Sequence, residues 1–108
     1  MNPIMPVPLV VYFSAERTTD TELLARCFAA DAIVQDEGRT MIGLDAIKGW
    51  KRETKAKYQY SIEPLRVSQV ADVVTVQARL TGTFPGSPIE LSYRFVLAGE
   101  KIASLEIH

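Results

Sequence analysis

The sequence predicts an α+β fold with segregated layers, three helices followed by a long curved antiparallel sheet. Two observations carry this. Apolar residues in the first half recur at helical spacing, as in Leu23, Leu24, Cys27 and Phe28, then Leu44, Ile47 and Trp50. In the second half they alternate, with Ile89, Leu91, Tyr93, Phe95 and Leu97 set against Glu90, Ser92 and Arg94.

The elements follow in order. Pro3, Pro6 and Pro8 break the first residues and allow a helix to start at Pro8 and run to about Arg17. Its Val10, Val11, Tyr12 and Phe13 would also suit a strand. Thr19 and Glu22 form a T-x-x-E capping box for a second helix ending near Phe28. A short strand spans Ala32 to Asp36, and a turn follows at Asp36-Glu37-Gly38. Gly43 opens a third helix from Leu44 to Lys57, with Leu44, Ile47 and Trp50 facing inward. Lys51, Arg52, Glu53, Lys55 and Lys57 read as its solvated face, or alternatively as a basic patch.

Strands are expected from Tyr60 to Gln69, Val73 to Phe84, Ile89 to Leu97 and Lys101 to Ile107. Pro64 marks a bulge or an edge. Phe84-Pro85-Gly86-Ser87 suits a type II turn. Apolar residues on both faces of the late strands (Val74, Val76 and Ala78 against Val73; Phe95 against Val96) would leave an apolar outer face. A homodimer through the sheet would cover it.

With 108 residues the chain is expected to form one domain, residues 1-108. Hydrophobic residues at 47% exclude a disordered chain. Twelve Lys plus Arg against 13 Asp plus Glu argue against a nucleic-acid surface. No run approaches the ~20 apolar residues of a membrane span. No basic region precedes Leu9-Val10-Val11-Tyr12-Phe13, so a signal peptide is not expected and a cytoplasmic location is. Cys27, the one cysteine, reads as a buried free thiol on the apolar side of its helix. The one histidine is the terminal His108, expected to be frayed. One histidine and one cysteine offer no metal shell, and neither phosphate-binding glycine motif is present, so no cofactor is expected.

The stretch from Leu24 to Trp50, LARCFAADAIVQDEGRTMIGLDAIKGW, resembles the SnoaL-like branch of the nuclear-transport-factor-2-like superfamily. There F-A-x-D-A, a strand ending in an acidic residue and G-x-x-A-I-x-x-W form the front of a cone-shaped ligand pocket. The resemblance extends over the whole chain. It implies a cone of three helices packed on a curved sheet, around a small, largely apolar molecule. In the ketosteroid isomerases, which share the architecture, the carboxylate matching Asp36 is the general base.

Strand alternation points Val34 and Asp36 the same way. If Val34 faces the interior, Asp36 sits at the rim of an apolar cup, where its pKa should rise towards general-base work. The plainer alternative is that Asp36 caps the Glu37-Gly38 turn.

Tyr12 precedes Asp36 by 24 residues, a separation that resembles the isomerases' tyrosine-to-base separation. Their helix-one tyrosine donates to the substrate oxygen as negative charge develops. The alternative for Tyr12 is a core aromatic. The isomerases add a protonated aspartic acid on a late strand, but this chain has Leu91 at the matching place. Arg39 could pair with a ligand carboxylate or form a surface ion pair. Trp50 resembles the family's pocket wall, and Tyr58, Tyr60, Phe84 and Tyr93 are further lining candidates.

The resulting expectation is a SnoaL-like pocket protein. It would perform cofactor-independent isomerase, cyclase or dehydratase chemistry on a carbonyl or polyketide-like compound, with Asp36 as base and Tyr12 as donor. The alternative is a noncatalytic ligand-binding or dimerisation module.

Overall fold

Alternation and helical periodicity sort the chain as expected in the computed structural model, which describes residues 4–18 and 20–108. Helix α1 spans Val7–Ala15, with Pro8 in its first turn, and buries Leu9, Tyr12 and Phe13. Of the residues that would also suit a strand, Tyr12 and Phe13 pack on the core from this helix, while Val10 is exposed. The capping-box residue Thr19 lies outside the described residues. The observed cap is Asp20, whose Oδ1 accepts the Glu22 amide at 3.0 Å. The second helix is shorter than expected. A 3-10 turn, Thr21–Leu23, leads into α2, Leu24–Cys27.

Strand β1 therefore starts early and covers Phe28–Asp36. Ala32 and Val34 are buried while Ile33 and Gln35 are exposed, so Asp36 shares the inward face. Sequence reasoning missed β2, Arg39–Ile42, which pairs antiparallel with β1. The two-residue turn between them has positive φ at Glu37 (53°) and Gly38 (75°). Primed hairpin turns require that geometry. Helix α3 is Leu44–Lys57 as expected.

Strands β3 (Tyr60–Val70), β4 (Val73–Gly82), β5 (Ile89–Ala98) and β6 (Lys101–Ile107) form an antiparallel meander. The sheet order is β2-β1-β6-β5-β4-β3. One pairing departs from the antiparallel expectation: β6 lies parallel to β1, with a register shift between Phe28 and Ile33. The meander's last strand returns to the first strand of the sheet from the same end. Both expectations for Pro64 are met, because β3 is an edge strand and its register shifts between Pro64 and Arg66. In the Phe84–Ser87 turn, Gly86 has φ 87° and the Ser87 amide donates to the Phe84 carbonyl. This fits a type II turn.

The inner face of the sheet carries Val74, Val76, Ala78, Phe95, Ile102 and Leu105 against α1 and α3. The outer face is more polar than expected. Val73 and Val96 share it with Thr75, Gln77, Ser92 and the Arg94–Glu106 ion pair. His108 is not frayed at its backbone, which exchanges two hydrogen bonds with Ser92. Cys27 is buried, its Sγ lies 3.6 Å from the Leu24 carbonyl, and burial pushes its pKa up to about 12. No helix among the described residues is long and apolar enough to cross a membrane.

Candidate active site

Between α3 and the inner face of the sheet lies a cavity of about 500 Å³. Strand alternation builds much of its wall. Ile89, Leu91 and Tyr93 line it from successive inward positions of β5, and Leu80 and Ile107 add aliphatic surface. Tyr60 contributes from β3. Trp50, Lys51 and Thr54 contribute from α3. The half-buried rings of Tyr58 and Phe84 meet edge to face with centroids 6.1 Å apart. They supply a further aromatic wall.

Asp36 lines this cavity from the end of β1. Its Oδ2 accepts the Trp50 indole N–H at 3.0 Å. Oδ1 has no partner among the described residues. No buried side-chain oxygen there lacks a partner, so Oδ1 remains accessible. Burial raises the carboxyl pKa above its ordinary value. The Trp50 hydrogen bond and Lys51 pull it down in part, and Glu37 pushes it further up. The carboxylate is thus held by the indole, with no bond to the Glu37-Gly38 turn.

Trp50 is 3% exposed; it packs in the core and also lines the cavity. Tyr58, Phe84 and Tyr93 also line the cavity. Two candidates do not. Tyr12 is 0% exposed, and its hydroxyl accepts a hydrogen bond from Lys51 Nζ at 3.3 Å. The hydroxyl is covered with the rest of the residue, and the ring packs edge to face among those of Phe13, Phe28 and Phe95. Arg39 lies outside the cavity and pairs with Glu53 at 3.0 Å, both side chains being well exposed. That is the surface ion pair of the alternative reading.

Lys51 was assigned to the solvated face and is instead 4% exposed. It stands four residues after Ile47 and beside Trp50, so the inward stripe of α3 continues through it. Its ammonium pairs with Glu16, which is also buried, and lies 4.2 Å from the Trp50 ring centroid. The Tyr60 hydroxyl donates to Glu16 at 3.2 Å. A network Tyr60–Glu16–Lys51–Tyr12 therefore underlies the cavity. Sequence reasoning missed Glu16 and Lys51. The one available signal was a lysine within the apolar spacing of α3. No group of three or more His, Cys, Asp or Glu side chains that could hold a metal occurs among the described residues.

An acidic strand end thus faces a largely apolar cavity between α3 and a curved sheet, the arrangement of the cone-shaped nuclear-transport-factor-2-like fold. The SnoaL-like domain family model matches residues 10–104, and the chain belongs to that family. A crystal structure of a "putative polyketide cyclase" from Sinorhizobium meliloti is 39% identical, with a TM-score of 0.93 over 96% of this chain and 95% of that one. A protein with a ketosteroid isomerase-like fold from Catenulispora acidiphila, in complex with trimethylamine, is 27% identical, with a TM-score of 0.85 over 97% and 86% of the two chains. A "putative SnoaL-like polyketide cyclase" from Jannaschia shares the fold at 14% identity, with a TM-score of 0.75 over 100% and 90%. No curated protein matches this sequence.

Proposed function

We propose that this protein is a cofactor-independent acid–base enzyme acting on a compact, largely apolar carbonyl compound of polyketide-like type. Asp36 would be its general base. The observation that carries the reading is the Asp36 carboxylate at the cavity wall, with one oxygen anchored by Trp50 and the other accessible. Burial raises its pKa, and a raised pKa makes a carboxylate a better base near neutral pH. In the reaction Asp36 would take a proton from carbon next to the substrate carbonyl, and the C–H electron pair would move onto the oxygen as an enolate. Return of that proton to another carbon would complete an isomerisation. Likeness to the Sinorhizobium protein supports the cyclase-like substrate class.

The test needs no natural substrate. Deuterium exchange next to the carbonyl of 2-tetralone, followed by proton NMR in heavy water, should be accelerated by the wild-type protein. Asp36→Asn keeps the acceptor for Trp50 and should lower the rate by at least ~100-fold. The rate should rise with pH as Asp36 ionises, with a midpoint above the ordinary carboxylate value. Equal rates in the two proteins would sink the reading. A noncatalytic binding module is the second reading. Leu91 favours it, because it places an apolar side chain where the isomerases carry their second donor. That reading predicts ligand binding without exchange.

A further inference from the structure

The proposed chemistry needs a hydrogen-bond donor at the oxygen where negative charge gathers, and the hydroxyl of Tyr12 is sealed away from the cavity. We infer that the Tyr93 hydroxyl is the donor that receives the ligand's carbonyl oxygen. This rests on the proposed function only for its catalytic meaning; the binding contact stands on geometry.

Tyr93 lies on β5 between Leu91, which lines the cavity, and Phe95, which is wholly buried. Its ring is clamped: Phe13 and Tyr12 lie 5.9 and 6.3 Å away between centroids, and Phe95 stacks at 6.4 Å. The residue is 3% exposed and lines the cavity. Yet its hydroxyl bonds to no described residue. Among the described residues no buried, unpartnered side-chain oxygen exists. The hydroxyl must therefore have accessible surface, and for a residue this enclosed that surface is the cavity. Nearly every other polar group at this depth is committed. Tyr60 donates to Glu16, Lys51 to Glu16 and Tyr12, and Trp50 to Asp36.

A buried phenol with no partner among the described residues is a donor held ready for a ligand acceptor, because leaving it dry and unpaired costs free energy. Burial and the charges of Glu16 and Asp36 raise its pKa well above the ordinary tyrosine value, so it stays protonated over any usable pH. In the reaction it donates a hydrogen bond to the enolate oxygen and transfers no proton. Asp36 carries the only proton that moves. The arrangement selects ligands with a carbonyl that reaches the β5 wall while the adjacent C–H faces Asp36.

The binding test uses 1-tetralone, which can only accept a hydrogen bond, and its hydrocarbon counterpart tetralin, both measured by equilibrium dialysis. Tyr93→Phe should weaken 1-tetralone about five- to tenfold and leave tetralin within twofold. Tyr12→Phe should leave the ratio between the two ligands unchanged. In protein carrying carbon-13 at the tyrosine ζ position, 1-tetralone should shift the Tyr93 resonance and not that of Tyr12. Because the hydroxyl has no partner among the described residues, Tyr93→Phe should melt at or above the wild-type temperature. A lower melting temperature would show a structural role and overturn the assignment. So would equal losses for both ligands, or no binding of 1-tetralone to wild type. Dialysis involves no proton transfer, so Asp36→Asn should keep the Tyr93 effect. Failure of the exchange experiment and failure of this one are therefore separate results.

Discussion

Glu16 and Lys51 show how one buried pair shapes the site. Neither side chain is more than 5% exposed, and each would be costly to bury alone. Together, with Tyr12 and Tyr60 as further partners, they hold α1, α3 and β3 to one point beneath the cavity. Glu16→Ala should therefore destabilise the protein by about 3–5 kcal/mol, because it strands the Lys51 ammonium. Urea unfolding measures this, and a loss under about 1 kcal/mol would mean that Lys51 reaches water instead. Asp36 behaves oppositely. Its folded pKa lies above its unfolded value, so the folded state binds more protons between the two. Stability from this group is greatest below the unfolded pKa and is lost as pH rises through the folded one. The ionised base is kept at some expense of stability, which suits a functional group better than a structural one. The same reasoning made Asp36 visible in the sequence. Alternation fixed its side of the strand, but its Trp50 anchor depends on how α3 crosses β1.

Among the elements, the last residue of β4, Gly82, is glycine for a local steric reason. A Cβ there would lie 2.1 Å from the Gln59 carbonyl oxygen and 2.7 Å from the Tyr60 Cα. Only glycine lets the chain pass this close, and the approach seats Tyr60 in the cavity wall. Gly82→Ala must push β3 and β4 apart and should cost about 1–3 kcal/mol. It should also weaken 1-tetralone, since Tyr60 moves with β3. Thermal unfolding and dialysis check the two halves, and unchanged values in both would refute this account. The expected strand ran on to Phe84 because Thr83 and Phe84 suit a strand by type. The Thr83 amide still donates to the Gln59 carbonyl at 3.0 Å, and the chain then leaves the ladder for the Phe84–Ser87 turn. Strand β2 was missed for a different reason. Arg39–Ile42 has one buried residue, Met41, so it carries almost no alternation signal and exists because β1 offers it an edge.

For the whole molecule, the accessible area is 6201 Å², close to the roughly 6,000 Å² expected for a folded chain of this size. The outer face of the sheet remains uncovered. We propose that two copies pair through it. Val73 and Val96 supply apolar contact, and ion pairs such as Arg94–Glu106 can be shared across a twofold axis. Sedimentation at micromolar concentration should show a dimer. Because the face is more polar than alternation alone implied, the dimer should weaken in high salt. A clean monomer at low salt would defeat the proposal.

The sequence by itself determined the layer order, the third helix, the meander, the inward set of apolar residues and the side on which Asp36 lies. These follow from periods of 3.6 and 2 and from turn chemistry, which are local properties of the chain. Tertiary structure alone decided the parallel closure of β6 on β1, the sealing of Tyr12, the burial of Lys51 against Glu16 and the opening of Tyr93 to the cavity. Each of these depends on residues far apart in sequence meeting at one point, and a polar side chain's fate is set by the partner it finds there.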